Sequence, residues 1–252
     1  MRYFLAACLL ALFILAWQGV ASLHSVDDLT LASPIETWGA LRDDWSLLMD
    51  NFGTTLVEVV LGLAIATVAG VIFAVSMHLF RALRDAAYPL LVASQAIPIV
   101  VLAPIFILAF DYGIGPKLAI VALICFFPVT VTTLDALASV DPDAVKLLRT
   151  LDASRWQVFR YLEAPAALPG LLSGAKIAVA VAVIGAVLAE QAGSSNGLGH
   201  LLLQAIPQLE TPRAYAAVVL LAAFAVALFS ALALAERRLV PWANRRPEGP
   251  RA

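Results

Sequence analysis

Three acidic residues lie within or at the ends of long apolar runs of this sequence, where an ionisable side chain is costly to place. Glu58 lies about one helical turn inside one run, Glu190 ends another, and Asp135 lies near the end of a third. Ionisable groups inside membrane-spanning segments typically line a solute path, form a gate or relay protons. We expect Glu190 and Asp135 to lie near enough to a membrane surface to be hydrated. Glu58 and Glu190 are the candidates for a pathway or gate, and ordinary interfacial carboxylates are the alternative.

Residue types that usually carry catalysis or bind metal are few and scattered. Cys8 and Cys125 both fall inside apolar runs, which predicts two buried thiols. The histidines form no pair, and no Ser/His/Asp set, paired carboxylates or metal-ligand spacing is present in the sequence. This pattern supports neither a disulfide framework nor a metal site, and it predicts a protein that is not an enzyme and holds no cofactor of its own.

The stretch GLLSGAKIA, residues 170–178, only partly resembles a phosphate-binding loop. It lacks the four-residue gap between the glycines and the Ser or Thr after the lysine, and no strand precedes it. We expect these glycines to pack at the entry of a span, and the chain not to bind ATP.

The elements that must position these residues follow from the composition. The chain of 252 residues is 62% hydrophobic and 13% charged, whereas soluble domains are about 25% charged. Its long apolar runs exclude an outer-membrane barrel, which has alternating ten-residue segments. Because a spanning helix needs about 20 apolar residues, we predict an all-α polytopic membrane protein. Its six spans are residues 4–20, 55–77, 88–110, 118–138, 171–189 and 214–235.

The lysines and arginines predict that both termini are cytoplasmic. With that orientation, twelve of them lie on the inner side and three on the outer side, as the positive-inside rule requires. Residues 1–22 also match a cleaved signal peptide, but an even number of spans fits the charge pattern and favours an uncleaved span. We divide the chain into residues 1–52 (first span and outer loop), 53–236 (the transmembrane domain) and 237–252 (a polar cytoplasmic tail).

The outer loop contains the sequence SPIE, which predicts the start of a helix. Ser33 is the N-cap, Pro34 takes the first position and Glu36 closes a capping box. We expect a helix over residues 34–49, with one apolar face formed by Trp38, Leu41, Trp45 and Leu48. This helix lies either in the membrane interface or against the outer ends of the bundle.

Prolines predict kinks in two of the spans. The third span contains Pro89, Pro98 and Pro104, and the fourth contains Pro128. Kinked helices beside a water-filled path and kinks that serve packing alone both remain open.

Residues 139–169 form the longest segment expected on the cytoplasmic side, and they begin with a short helix. Asp141 is its expected N-cap, Pro142 lies in its first turn and Leu151 ends it. One edge of this helix is apolar and consists of Val145, Leu148 and Leu151. Lys146 and Arg149 point elsewhere.

A second short helix follows in the same segment. Asp152 ends the first helix, Ser154 caps the second, and Gln157 closes a capping box with it. Trp156 and Phe159 share an apolar face of this helix, and the helix is expected to stop at Pro165 and Pro169. A capped amphipathic helix of this kind suits a groove on another protein. A helix lying on anionic lipid is the alternative, because Arg149, Arg155 and Arg160 suit that surface too.

The spacing in this segment resembles the EAA loop, the conserved cytoplasmic loop of permease subunits of binding-protein-dependent ABC importers. That pattern is Glu-Ala-Ala, three residues, Gly, nine residues, and then aliphatic, any, small or aliphatic, Pro. Here it falls on residues 146–148, Asp152 and residues 162–165. Lys-Leu-Leu replaces Glu-Ala-Ala, and Asp152 replaces the glycine. Because aspartate tolerates a left-handed conformation, we expect the turn to be kept.

Other segments over residues 31–236 resemble the nitrate, sulfonate and taurine type of these permeases. They include LASPIETW, NFGTTLVEVVLGL, PIVVLAPIFILAFDYGIGPK and APAALPGLLSGAKIA. The segments ICFFPVTVTTLDALASVDPD and AVIGAVLAEQAG are most similar to the branch that carries thiamine pyrimidine precursors or riboflavin.

The resemblance implies a fold like that of type I ABC importers, with a helix–turn–helix coupling loop between spans 4 and 5. It implies an ABC ATPase subunit that binds the ATP, a substrate-binding protein outside the cytoplasm, a second copy of the chain, and the lipid of a bacterial inner membrane. No nucleic acid is implied. The residues that would couple to the ATPase are Asp141, Val145, Lys146, Leu148, Arg149, Leu151, Asp152, Ser154, Trp156, Phe159 and Pro165.

The solute implied by the resemblance is a thiamine pyrimidine precursor, riboflavin, or an aliphatic sulfonate, taurine or nitrate. Two other classes of protein are the alternatives. An ion- or proton-coupled secondary transporter would need paired broken spans or internal symmetry, and the sequence has no repeat. A structural membrane anchor would not need a capped helical pair between two spans.

Overall fold

The computed structural model describes residues 2–22, 31–110 and 112–244, and within these ranges the chain is helical, without strands. The helices are α1 (Arg2–Ala21), α2 (Pro34–Asp43), α3 (Trp45–Leu79), α4 (Arg81–Ser94), α5 (Ile99–Phe110), α6 (Ile114–Ala138), α7 (Pro142–Thr150), α8 (Arg155–Val158), α9 (Ala164–Gly193), α10 (Leu198–Ala205) and α11 (Thr211–Leu239). A π turn over Phe159–Glu163 joins α8 to α9, and a 3-10 turn follows α11. The predicted polar tail lies outside the described residues from position 245 onward.

Four helices in the described part of the chain are long and apolar enough to cross a membrane. They are α3, α6, α11 and the helix Arg155–Gly193, which consists of α8, the π turn and α9. These helices contain the second, fourth, sixth and fifth predicted spans. The first predicted span falls in α1, whose apolar part, Cys8–Ala21, is shorter than a full span. The count of six spans therefore stays a prediction.

The third predicted span, residues 88–110, is broken into two helices. α4 and α5 meet at an angle of 99°, so the bend expected from the prolines is present and is a complete break of the helix. Pro98 lies at the break, where it has no N–H to continue a helix and disfavours helical backbone in the residue before it. Pro89 and Pro104 lie inside α4 and α5 without breaking them.

The short outer helix begins as predicted and ends earlier. The Ser33 N–H donates to the Glu36 carboxylate at 2.7 Å, which confirms the capping box. The chain leaves α2 at Asp44, whose carboxylate accepts a hydrogen bond from Arg213 of α11 at 2.7 Å. Since α3 starts at the next residue, the single apolar face expected over residues 34–49 is divided between α2 and α3.

The centre of the bundle is formed where α3, α6 and α9 pack closely through small residues. A Cβ atom on Gly62 of α3 would lie 2.5 Å from the Val121 side chain of α6. A Cβ atom on Gly174 of α9 would overlap the Thr132 hydroxyl of α6 and lie 3.1 Å from the Pro128 carbonyl oxygen. Close approach through small residues is typical of helices in membranes. The stretch GLLSGAKIA lies in α9 at this contact, as the packing interpretation expects.

The prediction of two buried thiols is right for one cysteine and wrong for the other. Cys125 is fully buried in the core, and its thiol donates to the Ala178 carbonyl oxygen at 3.4 Å. Cys8 is exposed. Its helix, α1, is held near its end, where Trp17 donates to the Ala32 carbonyl oxygen at 3.0 Å and stacks against Tyr215, and most of its apolar surface is uncovered by the chain.

Replacing Gly174 by alanine should destabilise the bundle, because the added methyl group meets the Thr132 side chain and the backbone of α6. Overpacking of this kind typically costs about 1–3 kcal/mol. The matched control is Gly53→Ala in α3, where nothing lies within 4 Å of the added atom. Since alanine is the better helix former, the control should gain up to about 1 kcal/mol. Thermal unfolding of the detergent-purified protein measures both, and equal stability of the two variants would contradict the close α6–α9 contact.

Candidate functional site

The mid-chain loop, residues 139–169, begins with α7, whose start is set by Asp141. The Asp141 carboxylate accepts a hydrogen bond from the Asp143 N–H at 2.9 Å, and Pro142 occupies the first turn. Both features are confirmed predictions. Lys146 is exposed and pairs with Asp143 at 2.8 Å, so it contributes little to the stability of the loop.

Asp152 makes the turn between the two short helices in a left-handed conformation, with a φ of 58°. Its N–H donates to the Arg149 carbonyl oxygen at 3.1 Å, and the Ala153 N–H donates to the Leu148 carbonyl oxygen at 3.1 Å. These two bonds form a Schellman motif, the helix ending that usually has glycine in the left-handed position. The expected turn is confirmed, with Asp152 in the place of the glycine.

The second short helix begins as predicted but does not stop. The Ser154 N–H donates to Gln157 Oε1 at 2.7 Å, which confirms the capping box. The prediction that Pro165 and Pro169 end this helix is wrong, because it continues into α9. The π turn shifts the hydrogen bonding so that the Ala164 N–H bonds to the Phe159 carbonyl oxygen. Pro165 then lies in the first turn of α9, where a missing N–H is tolerated.

Side-chain exposure separates the loop residues that can meet a partner from those that hold the loop in place. The large apolar side chains exposed on it are Leu147, Leu151, Trp156, Tyr161 and, at its end in α9, Leu168. Val145 and Leu148 are half-buried. Phe159, predicted to share an exposed face with Trp156, is instead buried against Leu137 and Ala167. The two rings do share a face, with 5.4 Å between their centroids, but only Trp156 is exposed, and Phe159 anchors the loop beneath it.

Two polar contacts, neither of them predicted from the sequence, join the mid-chain loop to the end of α3. His78 Nε2 lies 3.0 Å from Glu163 Oε2, and the Arg155 guanidinium donates to the Leu79 carbonyl oxygen. Leu79 is the last residue of α3, and its carbonyl oxygen accepts no hydrogen bond from within the helix. Arg155 donates to this oxygen, and its positive charge is favourable at the negative end of the helix dipole. A cavity of about 630 Å³ opens beside these contacts and is also lined by Arg149.

A buried polar cluster, formed by Asn51, Thr55, Glu58, Lys117 and Glu190, lies toward the other end of α3. Glu58 is fully buried, and its Oε1 accepts a hydrogen bond from Lys117 Nζ at 2.7 Å. The same ammonium group donates to Ser194 Oγ at 2.6 Å. Buried charges require such partners because the cost of desolvation is large. Glu58 Oε2 has no hydrogen-bond donor among the described residues.

Glu190 binds the start of α10. Its Oε1 accepts a hydrogen bond from the Thr55 hydroxyl at 2.6 Å, and its Oε2 accepts one from the Gly199 N–H at 2.5 Å. The N–H groups of residues 197 and 198 donate to Asn51 Oδ1 at 2.7 Å and Thr55 Oγ1 at 2.9 Å. The first N–H groups of a helix have no partner within it. Side chains from α3 and α9 supply those partners here.

Gly197 is required by this arrangement for two reasons. Its φ of 116° favours glycine, and a Cβ atom there would overlap the Glu190 carboxyl group. A cavity of about 410 Å³ borders the cluster on the side of Lys117, Tyr112 and Ser194. In the part of the chain that the structure describes, no three His, Cys, Asp or Glu side chains are grouped so that they could hold a metal ion. The hydrogen bonds of this cluster join α3, α6, α9 and α10 to one another.

The structure brings together the two carboxylates that the sequence analysis selected. Glu58 and Glu190 lie close enough to interact electrostatically. The expectation that Glu190 is hydrated is wrong, because α10 folds back over it and leaves it fully buried. Asp135 is exposed, as expected.

Sequence reasoning missed the partners of these carboxylates. Lys117 was counted only among the three basic residues on the outer side. Its side chain is 8% exposed and pairs with Glu58. Asn51, Thr55 and Glu58 follow one another at intervals of four and three residues, which places them on one face of a helix. That spacing is the signal that could have identified the cluster.

Comparisons with known proteins relate the chain to a family of transport components. Residues 66–241 match the family described as "Binding-protein-dependent transport system inner membrane component". The chain is 38% identical over 201 residues to the formylaminopyrimidine transport permease of Halalkalibacterium halodurans, with 80% of each chain covered. It is 35% identical to the riboflavin transport system permease of Chloroflexus aurantiacus, with 92% of this chain and 88% of the relative covered.

Solved structures share the fold at lower identity. A chain of an amino acid ABC transporter superposes with a TM-score of 0.62 at 17% identity, covering 79% of this chain and 97% of that one. A chain of the inward-facing methionine ABC transporter MetNI gives a TM-score of 0.57 at 20% identity, covering 84% and 100%. With its four long apolar helices and a family match over most of its length, the chain belongs to the inner-membrane components of binding-protein-dependent transport systems, which are multi-pass permeases rather than enzymes.

Proposed function

We propose that this chain is the membrane-spanning subunit of an ABC importer and that a separate ATPase subunit docks on the mid-chain loop. The observation that carries this proposal is the pair of capped helices with Leu147, Leu151 and Trp156 exposed between two spanning helices. Burying such side chains in a groove of a partner protein is favourable. Anionic lipid is the alternative partner for the same surface.

The residues predicted to couple to the ATPase have different roles in this proposal. Those that would touch the partner are exposed, namely Lys146, Arg149, Leu151 and Trp156, with Leu147 and Tyr161 in addition. Those that shape the loop are Asp141, Asp152, Ser154 and Pro165, through the caps, the left-handed turn and the start of α9. Phe159 holds the loop against the bundle, and Val145 and Leu148 are half-buried in the first helix of the loop.

The complete importer would contain two copies of this chain, two ATPase subunits that bind ATP, and a substrate-binding protein on the outer side. The description of the family as binding-protein-dependent supports the last of these partners. A second copy would cover part of the large apolar surface that the bundle exposes, and lipid would cover the rest. Both termini of the chain would then be cytoplasmic.

The proposed solute is a thiamine pyrimidine precursor or riboflavin. The relatives named for formylaminopyrimidine and riboflavin transport are 38% and 35% identical to this chain. The relatives named for aliphatic sulfonate transport in Bacillus subtilis and taurine transport in Escherichia coli are each 27% identical. A sulfonate, taurine or nitrate is therefore the second candidate class.

Glu58 and Glu190 are proposed to close the outer end of the permease rather than to bind solute. Their hydrogen bonds to Lys117, Thr55 and the N–H of Gly199 hold α10 against α3 and α9. All of these bonds cross between separate helices, so a relative movement of the helices would break them together.

Replacing Trp156 by aspartate should abolish association with the ATPase while the chain still inserts in the membrane. The substitution puts a charge where the partner's groove would desolvate it. The matched control is Trp38→Asp in α2, because Trp38 is 57% exposed and Trp156 is 62% exposed. Co-purification of the two subunits measures the effect. Unchanged association of the Trp156→Asp chain would refute docking at this face and favour the lipid alternative.

Replacing Glu163 by glutamine should leave ATPase association intact and weaken its coupling to transport. The change removes the charge that holds His78 at the end of α3. A lost coupling energy of about 1.4 kcal/mol would weaken the equilibrium linkage between the loop and α3 about tenfold, so transport per ATP hydrolysed should fall. The control is Glu236→Gln, which removes a similarly exposed ion pair with Lys176 between α9 and α11. Equal transport stoichiometry in both variants, measured in liposomes, would contradict a role for this contact.

A reporter fused after Ala252 should report a cytoplasmic location, because the basic residues accumulate on that side of the membrane. A reporter inserted after Ser33 should report the opposite side. An external reading at Ala252 would overturn the orientation of the C-terminus, and external readings at both sites would also overturn the even number of spans.

A further inference from the structure

The break between α4 and α5, at residues 95–98, lies in the middle of the bundle. A cavity of about 430 Å³ beside it is lined by Leu123 of α6 and Ile184 of α9. Leu123 is the tenth of the 25 residues of α6, and Ile184 is the twenty-first of the 30 residues of α9. Both positions are well inside their helices, so the break lies at the depth of the hydrocarbon.

Lipid cannot cover this break. Residues 92–98 are all exposed in the chain. Pro98 has no N–H, and the N–H groups of Ile99 and Val100 begin a helix and have no acceptor within it. Irregular backbone at membrane depth is tolerated only where protein covers it or where it lines a water-filled cavity.

The side chains at the break point to water rather than to a dry contact. Ser94 and Gln95 are exposed, and the Gln95 amide nitrogen donates to Ser94 Oγ at 3.3 Å. Leaving an amide in hydrocarbon without hydrogen bonds is costly. The other side chains that line the cavity are aliphatic or proline, and none of them is charged.

We propose that the break between α4 and α5 faces the water-filled solute path and forms its mid-membrane binding site, in which Gln95 and Ser94 bind a neutral, ring-shaped polar solute. This inference rests on the proposed importer function and narrows its solute class. A cavity of this volume is within the range of small-molecule sites. The Ser94 hydroxyl donates to the Leu91 carbonyl oxygen at 2.7 Å, so the Gln95 amide supplies the donors, and its oxygen and Ser94 Oγ supply the acceptors. The aliphatic wall covers the faces of a ring.

The same lining disfavours an anionic solute. A sulfonate or nitrate buried here would have no cationic side chain at the cavity wall to replace its lost hydration. Lys117 is a cationic side chain that could bind an anion, but it lines a different cavity and is paired with Glu58. A pyrimidine or a flavin needs only hydrogen bonds and apolar contact.

Thiol accessibility tests whether the break faces water. The full chain in liposomes, alone and with its ATPase, carries Cys8→Ser and Cys125→Ala, with Gln95→Cys as the reporter. The control is Leu108→Cys in α5, where the side chain is 85% exposed on the chain and apolar. Because only the thiolate reacts, a cysteine in water should react with a charged methanethiosulfonate at least about tenfold faster than one in hydrocarbon. Equally slow rates would overturn the inference, and so would disulfide formation between two unmodified Gln95→Cys copies, which would place a second copy over the break.

Protection of Ser94→Cys tests the class of solute, because this variant keeps Gln95. Formylaminopyrimidine and riboflavin are the neutral probes, and ethanesulfonate is the anionic probe, each added with the binding protein. A neutral probe at ten times its dissociation constant should leave about a tenth of the sites reactive, and adding Gln95→Leu should remove this protection. Protection by ethanesulfonate alone, or by no probe, would overturn the assignment.

The ATPase co-purification described above tests the proposed function separately. A chain that binds its ATPase, but whose Gln95→Cys does not react with the charged reagent, overturns only the site at the break. A chain that shows the predicted reactivity without binding an ATPase overturns the importer and leaves the water-filled path in place.

Discussion

Hydrocarbon supplies no hydrogen bonds, and the rest of this structure depends on how the chain meets that constraint. Inside the bundle, the buried charged side chains bind partners on other helices, whereas hydroxyl groups such as those of Thr67 and Thr132 bond back to their own helix. Glu58 binds Lys117, and Glu190 binds Thr55 and the N–H of Gly199. At the other end of α3, Arg155 takes the carbonyl group that the helix leaves unsatisfied. The charged contacts therefore occur as a few cross-helix clusters, which add directional bonds to the close apolar packing of the helices.

The mid-chain loop is attached to the bundle more firmly than a linker between two spans would be. Its second helix continues through the π turn into α9, and Phe159 is buried under Trp156. His78 and Arg155 join the loop to α3, while α3 and α9 both pack closely on α6 through glycines. A force applied to the loop is thus transmitted directly to α3 and α9. Because both helices pack on α6, they should move together.

The local features of the fold could be predicted because their causes lie within a few residues. The capping boxes at Ser33 and Ser154 and the left-handed turn at Asp152 depend on side chains next to the backbone that they bind. The lengths of the apolar runs located the long helices, because a spanning helix must be about as long as the hydrocarbon is thick. The burial of Phe159 and the pairing of Glu58 with Lys117 could not be predicted in this way. Both depend on which helices become neighbours, and the break at Pro98 depends on whether neighbours tolerate an unsatisfied backbone.

The length of α3 has a consequence for how its two ends are related. With 35 residues, this helix is about 52 Å long, well beyond the roughly 30 Å of hydrocarbon. Tilting such a rod by about 5° displaces one tip against the other by roughly 4–5 Å. Hydrogen bonds fail when their atoms separate by much less than that. Asn51, Thr55 and Glu58 lie roughly 32–42 Å from the loop end of this helix, so a rotation of about 5° about that end would displace them by roughly 3–4 Å and separate their bonds to the neighbouring helices together.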